Sequence, residues 1–123
     1  MPQKVNPVDP GSDEAKSIKR EFREKVNMSP SEIERWVAGE KSKSVGQPGG
    51  KDGSTVGRDS AKRILAIKRK RAADLTGRDI AHIKKVNGYI ARHLKQRPKK
   101  SAAELRETDW TYSLKNWGHD PLR

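Results

Sequence analysis

The cationic side chains between residues 58 and 100 are the groups whose type and spacing fit a defined chemistry. This stretch holds 15 lysines and arginines against three aspartates, so its net charge equals the +12 of the whole 123-residue chain. Charge concentrated in this way attracts a polyanion, because each neutralised phosphate releases condensed counterions. The distribution therefore predicts contact with the phosphate backbone of a nucleic acid.

Helical periodicity separates the candidate contact residues from the core. On a helix predicted from about Asp59 to Ala73, Ile64 and Leu65 share one face, while most of the cations lie opposite and Lys68 runs along the core with its ammonium in water. A basic face that is merely solvated would look similar, although it would normally carry acids for pairing. Further candidate cations lie on the next helix and on the segment that follows it. The complete set of predicted nucleic-acid-binding residues is Arg58, Lys62, Arg63, Arg69, Lys70, Lys84, Lys85, Arg92, Lys95, Arg97, Lys99 and Lys100.

The histidines and acids form no catalytic or metal-binding pattern in the sequence. His82 and His93 would stand roughly 16 Å apart along one helix, too far for a shared zinc ion. His119 has no nucleophile motif around it, and the chain has no cysteine. We therefore expect no enzyme activity, no metal, no cofactor and no small-molecule substrate.

Composition limits the size of the core and the location of the protein. Only 31% of the residues are hydrophobic and 36% are charged, which predicts one small domain over residues 12–123 behind a flexible tail, 1–11. Residues 40–57 are glycine-rich and predict a mobile loop. No membrane segment or secretory signal is visible, so we expect an intracellular protein of the cytoplasm or nucleoid, or of the nucleus in a eukaryote.

Capping signals define the predicted helices. Ser12, Ser29 and Thr76 each precede an amphipathic pattern, and glutamate or aspartate follows the last two at the third position. The fold class predicted is all-α, with four helices and a short aromatic C-terminal helix. The predicted core is Ile18, Phe22, Ile33, Trp36, Ile64, Leu65, Ile83, Ile90, Leu94, Trp110, Leu114 and Trp117.

Two local features of the sequence each allow two interpretations, and a third is expected to contribute nothing to the core. Tyr89 is either an ordinary exposed tyrosine or a platform for stacking a base. The similar segments Ser44–Gln47 and Thr55–Arg58 either form a pair that joins the two loop ends or match by chance. The polar end from Gly118 to Pro121 is expected to add nothing to the core.

Three segments of the chain resemble a small domain family. Phe22–Ser29, Lys43–Gln47 and Trp110–Pro121, with its ending Asn-Trp-Gly-His-Asp-Pro, are similar to an uncharacterised family of bacteria and fungi. Some members of that family are labelled as DNA-binding proteins. The resemblance covers roughly residues 20–122 and implies a single domain with a role at DNA, without enzyme activity and without assigned binding residues.

Charge and resemblance together predict binding of duplex DNA through its phosphates, with little readout of base sequence. Association with RNA or the ribosome fits the charge equally well, although no RNA-recognition sheet signature is present. A protein-interaction module for an acidic partner is the alternative from another class. Neither a membrane partner nor a particular oligomeric state is indicated.

Overall fold

The structure, a computed structural model, describes residues 7–46, 48–49 and 55–123, and helices joined by turns and short irregular segments make up this part of the chain. No strand forms within these ranges, which confirms the prediction of an all-α protein. No helix there is long and apolar enough to cross a membrane. The α-helices are α1 (Asp13–Lys25), α2 (Pro30–Ala38), α3 (Glu40–Lys43), α4 (Val56–Lys68), α5 (Gly77–Lys95), α6 (Ala102–Leu105) and α7 (Asp109–Asn116). A 3-10 turn, Ala72–Asp74, lies between α4 and α5.

Hydroxyl side chains explain why several helix starts were visible in the sequence. Ser12, Ser29 and Thr76 each accept a hydrogen bond from a backbone N–H three residues further on. Ser29 with Glu32 and Thr76 with Asp79 complete the reciprocal capping box. Such caps contribute about 1 kcal/mol each, and α1, α2 and α5 begin where they were predicted.

The loop predicted over residues 40–57 is shorter in the structure, because both of its ends are helical. Residues Glu40–Lys43 form α3, and α4 begins at Val56 rather than near Asp59. Thr55 caps α4 by accepting the N–H of Arg58 at 3.2 Å. Residues 47 and 50–54 of the predicted loop and 1–6 of the predicted tail lie outside the described residues. Within the rest of that tail, the Val8 N–H donates to the Gly77 carbonyl at 3.1 Å.

The core forms where α1 packs along α5 and α2 packs along α4, with α7 in contact with α2, α3, α4 and α5. Eight of the predicted core residues are buried: Ile18, Phe22, Ile33, Ile64, Ile83, Ile90, Leu114 and Trp117. The other four, Trp36, Leu65, Leu94 and Trp110, are partly buried and pack against them. The prediction omitted a further set of buried aliphatic residues that includes Val26, Met28, Ile67, Ile80, Val86 and Leu105.

Lys68 lies on the core side of α4, and its ammonium has a structural task. Its Nζ donates to the carbonyl oxygens of Val26 and Met28, at 3.3 and 2.9 Å. These carbonyls belong to the turn between α1 and α2, where no helix partner is available. Burial lowers the pKa of Lys68, against the opposing effect of Glu32. The sequence did not reveal that this ammonium also binds two backbone carbonyls.

The polar C-terminal end is fastened to the same α1–α2 turn. The Gly118 carbonyl accepts the Met28 N–H at 3.2 Å. The Asn27 amide donates to the Asp120 carbonyl at 3.0 Å and accepts the Asp120 N–H at 2.8 Å. Gly118 itself is buried. The expectation that residues 118–121 add nothing to the core was wrong, because backbone hydrogen bonds give this polar segment a fixed place.

Candidate nucleic-acid interface

Two of the predicted contact residues are neutralised by acids on neighbouring helices. The Arg69 guanidinium lies 2.5 Å from a Glu34 carboxylate oxygen of α2, and the Lys84 ammonium lies 3.0 Å from Glu14 of α1. All four side chains are more than half exposed, so each pair adds little stability. A phosphate at either cation would have to displace a carboxylate.

Arg58 and Lys70 are used inside the fold. Arg58 is half-buried, and its Nη2 donates to the Val37 carbonyl at 3.1 Å. The Lys70 Nζ lies 2.7 Å from Oδ2 of Asp79, whose side chain is only 10% exposed. Burial raises the pKa of Asp79, but hydrogen bonds from Lys70 and the Thr76 N–H outweigh burial and hold that pKa below its usual value. Both cations therefore support the ends of helices.

The other predicted contact residues remain available to an external anion. Among the described residues, the one hydrogen-bond partner of the Arg63 side chain is the Arg78 carbonyl, at a long 3.4 Å. Arg97 lies 5.8 Å above the ring centroid of Trp110. The remainder are exposed, and their side chains make no hydrogen bond or ion pair with any residue that the structure describes: Lys62, Lys85, Arg92, Lys95, Lys99 and Lys100.

A row of three cations runs along α5. Arg78, Lys85 and Arg92 are seven residues apart, so they share one side of the helix with a rise of roughly 10 Å between neighbours. We call these three residues the α5 basic stripe. Arg78 was missing from the predicted set although it is exposed. The seven-residue spacing is the signal that would have included it.

Positive charge from α4 and α5 converges around His82. Its Nε2 lies 3.1 Å from the Ser60 hydroxyl, which joins the two helices. Burial, with the nearby charges of Arg63 and Lys85, lowers the pKa of His82 to about 4. The imidazole is therefore neutral at pH 7 and can accept the Ser60 proton. Arg63 of α4 and Lys85 of α5 thus act on one region of the surface.

Stability is expected to depend on pH through His82. The unfolded chain binds a proton at His82 near pH 6.5, whereas the folded chain does so only near pH 4. The unfolded state therefore gains protons first as the pH falls, and the free energy of unfolding should decrease by about 2 kcal/mol between pH 7 and 5. Urea titrations at the two pH values should show this loss in the parent and a much smaller one in His82→Gln. An equal loss in both proteins would contradict this role.

The contact between Ser60 and His82 lacks the features of a catalytic pair. Ser60 is 3% exposed, so a substrate cannot reach its hydroxyl. It lies within α4, where the backbone N–H groups are used by the helix and offer no oxyanion site. Within the described residues no group of histidines and acids could hold a metal ion.

Tyr89 is not an exposed platform for a base. Its ring lies 4.1 Å from the Trp117 ring at an interplanar angle of 15°, and 4.1 Å from the His93 ring at 21°. Two rings that are nearly parallel to the tyrosine at this distance must occupy its opposite faces, because they would overlap on one face. Both interpretations made from the sequence, an exposed tyrosine and a stacking platform, were therefore wrong.

A family model for proteins of unknown function, DUF3140, matches residues 21–115. The chain belongs to the DUF3140 family. The match includes the whole basic stretch 58–100, so the α5 basic stripe lies within the DUF3140 region, whereas the ending from Asn116 to Pro121 lies beyond it. No curated protein and no solved structure matches the chain.

Proposed function

We propose that this DUF3140 protein binds nucleic acid, most favourably duplex DNA, through phosphate contacts with little readout of base sequence. The observation that supports this proposal best is the α5 basic stripe, three exposed cations in a row with no acid opposite them among the described residues. Backbone contacts of this kind position a protein on the duplex without reading its sequence.

The neighbouring elements extend the same surface. Arg63 reaches from α4 to the first turn of α5, and the basic segment from Lys95 to Lys100 continues from the last turn. The DNA-binding label carried by some members of the family that the sequence resembles points in the same direction. Such a protein would act in the cytoplasm or nucleoid, or in the nucleus.

The salt dependence of binding tests this surface. Each phosphate contact on B-DNA contributes about 0.9 to the slope of log affinity against log salt concentration. Replacing Arg78, Lys85 and Arg92 with alanine should therefore reduce that slope by about 2.7 on duplexes of any sequence. The measurement is a fluorescence anisotropy titration of a labelled duplex between roughly 50 and 200 mM salt.

A control triple variant separates local contact from loss of net charge. Arg20, Arg23 and Arg35 are exposed arginines on α1 and α2, and changing them to alanine removes the same three charges. This variant should keep the parent slope. Equal slopes in the parent and the stripe variant would exclude the α5 surface, and a flat slope in the parent would exclude phosphate binding altogether.

A competition titration determines the class of nucleic acid. Unlabelled duplex DNA, structured RNA and single strands are added in turn to the complex with labelled duplex. Duplex DNA is expected to compete best, and the phosphate contacts should serve every duplex sequence alike. Stronger competition by structured RNA would replace the DNA assignment with RNA or ribosome association while leaving the phosphate surface in place.

A further inference from the structure

A cavity of about 260 Å³ lies where the first turn of α4 meets α5 and α7. Gly46 and, from α4, Val56 and Gly57 line it. The two similar segments seen in the sequence meet beside it, where a Cβ on Gly46 would lie 3.0 Å from Thr55. The stacked rings of Tyr89 and Trp117 also line the cavity. The size is close to the lower end of small-ligand pockets, which suits a single ring or a branched aliphatic group.

Two cations of the α5 basic stripe border this cavity. Lys85 and Arg92 line it and make no hydrogen bond or ion pair with any described residue. They stand four residues before and three residues after Tyr89, so both project beside its ring, which lines the cavity. The backbone N–H groups of Val56 and Gly57, in the first turn of α4, have no partner within their helix and add partial positive charge. The border of the cavity therefore suits an anion.

Two uncharged polar side chains of the cavity, Asn116 and Tyr89, already have partners within the protein. The Asn116 amide is hydrogen-bonded to Ser42 and Trp36. The Tyr89 hydroxyl lies 3.0 Å from Nε2 of His93. A nucleobase in the cavity would leave the donors and acceptors of its edge unpaired, which costs binding free energy. The interior therefore favours an apolar group over a base.

We propose that this cavity binds a small organic acid whose compact apolar body fills the interior while its carboxylate lies between Lys85 and Arg92. The acid would occupy two of the three cations in the α5 basic stripe. It should therefore weaken nucleic-acid binding. This consequence rests on the proposed function, but the proposed acid site does not depend on it.

Benzoate is a suitable probe. Acetate, which has the carboxylate without the ring, and benzyl alcohol, which has the ring without the charge, are the controls. The full-length protein is titrated with each at constant ionic strength, and the indole N–H resonance of Trp117 is followed by NMR. The other two indole resonances are assigned with Trp36→Phe and Trp110→Phe. Benzoate should shift the Trp117 resonance with a dissociation constant of about 1 mM or tighter, the range of fragment-sized ligands. Acetate should leave it unchanged.

Matched variants locate the carboxylate. Lys85→Ala and Arg92→Ala should each weaken the affinity for benzoate by about tenfold, the scale of one charge-assisted hydrogen bond. Both variants should bind benzyl alcohol with the same affinity as the parent. Lys95→Ala and Lys99→Ala remove exposed cations outside the cavity and should bind benzoate as the parent does. An unchanged Trp117 resonance at about 20 mM benzoate, or equal losses in all four variants, would overturn the acid site.

The same titrations separate failure of this site from failure of the proposed function. Benzoate binding is measured without nucleic acid, so a positive result stands even if no duplex binds. If the duplex also binds, saturating benzoate should reduce the salt slope of the parent by up to about 1.8, two contacts' worth. A parent slope that benzoate leaves unchanged would overturn the shared use of Lys85 and Arg92.

Discussion

Gly118→Ala is expected to lower the free energy of unfolding by about 2–5 kcal/mol. Gly118 has a φ of +81°, a conformation that costs other residues about 1–2 kcal/mol. A Cβ at this position would lie 2.7 Å from Cγ1 of Val26, inside the core, and overpacking of this kind costs about 1–3 kcal/mol more. Urea denaturation followed by tryptophan fluorescence measures the change.

Gly88→Ala is the matched control within the same chain. Gly88 lies inside α5, where alanine is favoured by about 1 kcal/mol. Of the atoms in the part of the chain that the structure describes, its added Cβ would meet only Nη1 of Arg92, at 3.2 Å, the far end of a flexible side chain. We expect Gly88→Ala to stabilise the protein or leave it unchanged. If Gly118→Ala behaved in the same way, the turn after α7 would not need its glycine and the account of the C-terminal end would be wrong.

Local signals carried most of what could be predicted of the fold. A serine or threonine cap acts on a backbone N–H three residues away, so Ser29 and Thr76 could be recognised without knowledge of the rest of the chain. The start of α4 was placed too late because Gly57 was assigned to the loop, although Thr55 had already capped the helix. A glycine in a first helical turn is a weak guide to where a helix begins.

Contacts between distant segments could not be predicted in the same way. Periodicity showed that Arg69 and Lys84 face away from their own helix core, but not that Glu34 and Glu14 would stand opposite them. Likewise, the pairing of Asn27 with the backbone of Asp120 joins residues 93 positions apart. The set of free cations therefore follows from the packing of α1, α2, α4 and α5, which one sequence does not reveal.

Asn116→Ala is expected to lower the free energy of unfolding by about 3–5 kcal/mol. The buried Asn116 Oδ1 accepts hydrogen bonds from Trp36 Nε1 at 2.8 Å and from the Ser42 hydroxyl at 2.5 Å. Its Nδ2 donates to the Ser42 carbonyl at 3.1 Å. Alanine would leave the Trp36 indole N–H, the Ser42 hydroxyl and the Ser42 carbonyl without this partner. Each of them that water cannot reach then costs about 1–3 kcal/mol of stability. The amide thus joins α2 and α3 to α7.

A double-mutant cycle with Trp36→Phe distinguishes lost hydrogen bonds from a simple cavity. Phenylalanine keeps an aromatic ring beside Tyr112, whose centroid lies 5.6 Å from that of Trp36, but it has no N–H to satisfy. Trp36→Phe should therefore cost less in Asn116→Ala, where the indole N–H is already unpaired, than in the parent. The coupling should reach about 1–2 kcal/mol, within the range found for residues in contact. Strictly additive losses would mean that the hydrogen bond to Trp36 contributes nothing to holding α2 against α7, and the cost of Asn116→Ala would then come from its packing and its bonds to Ser42.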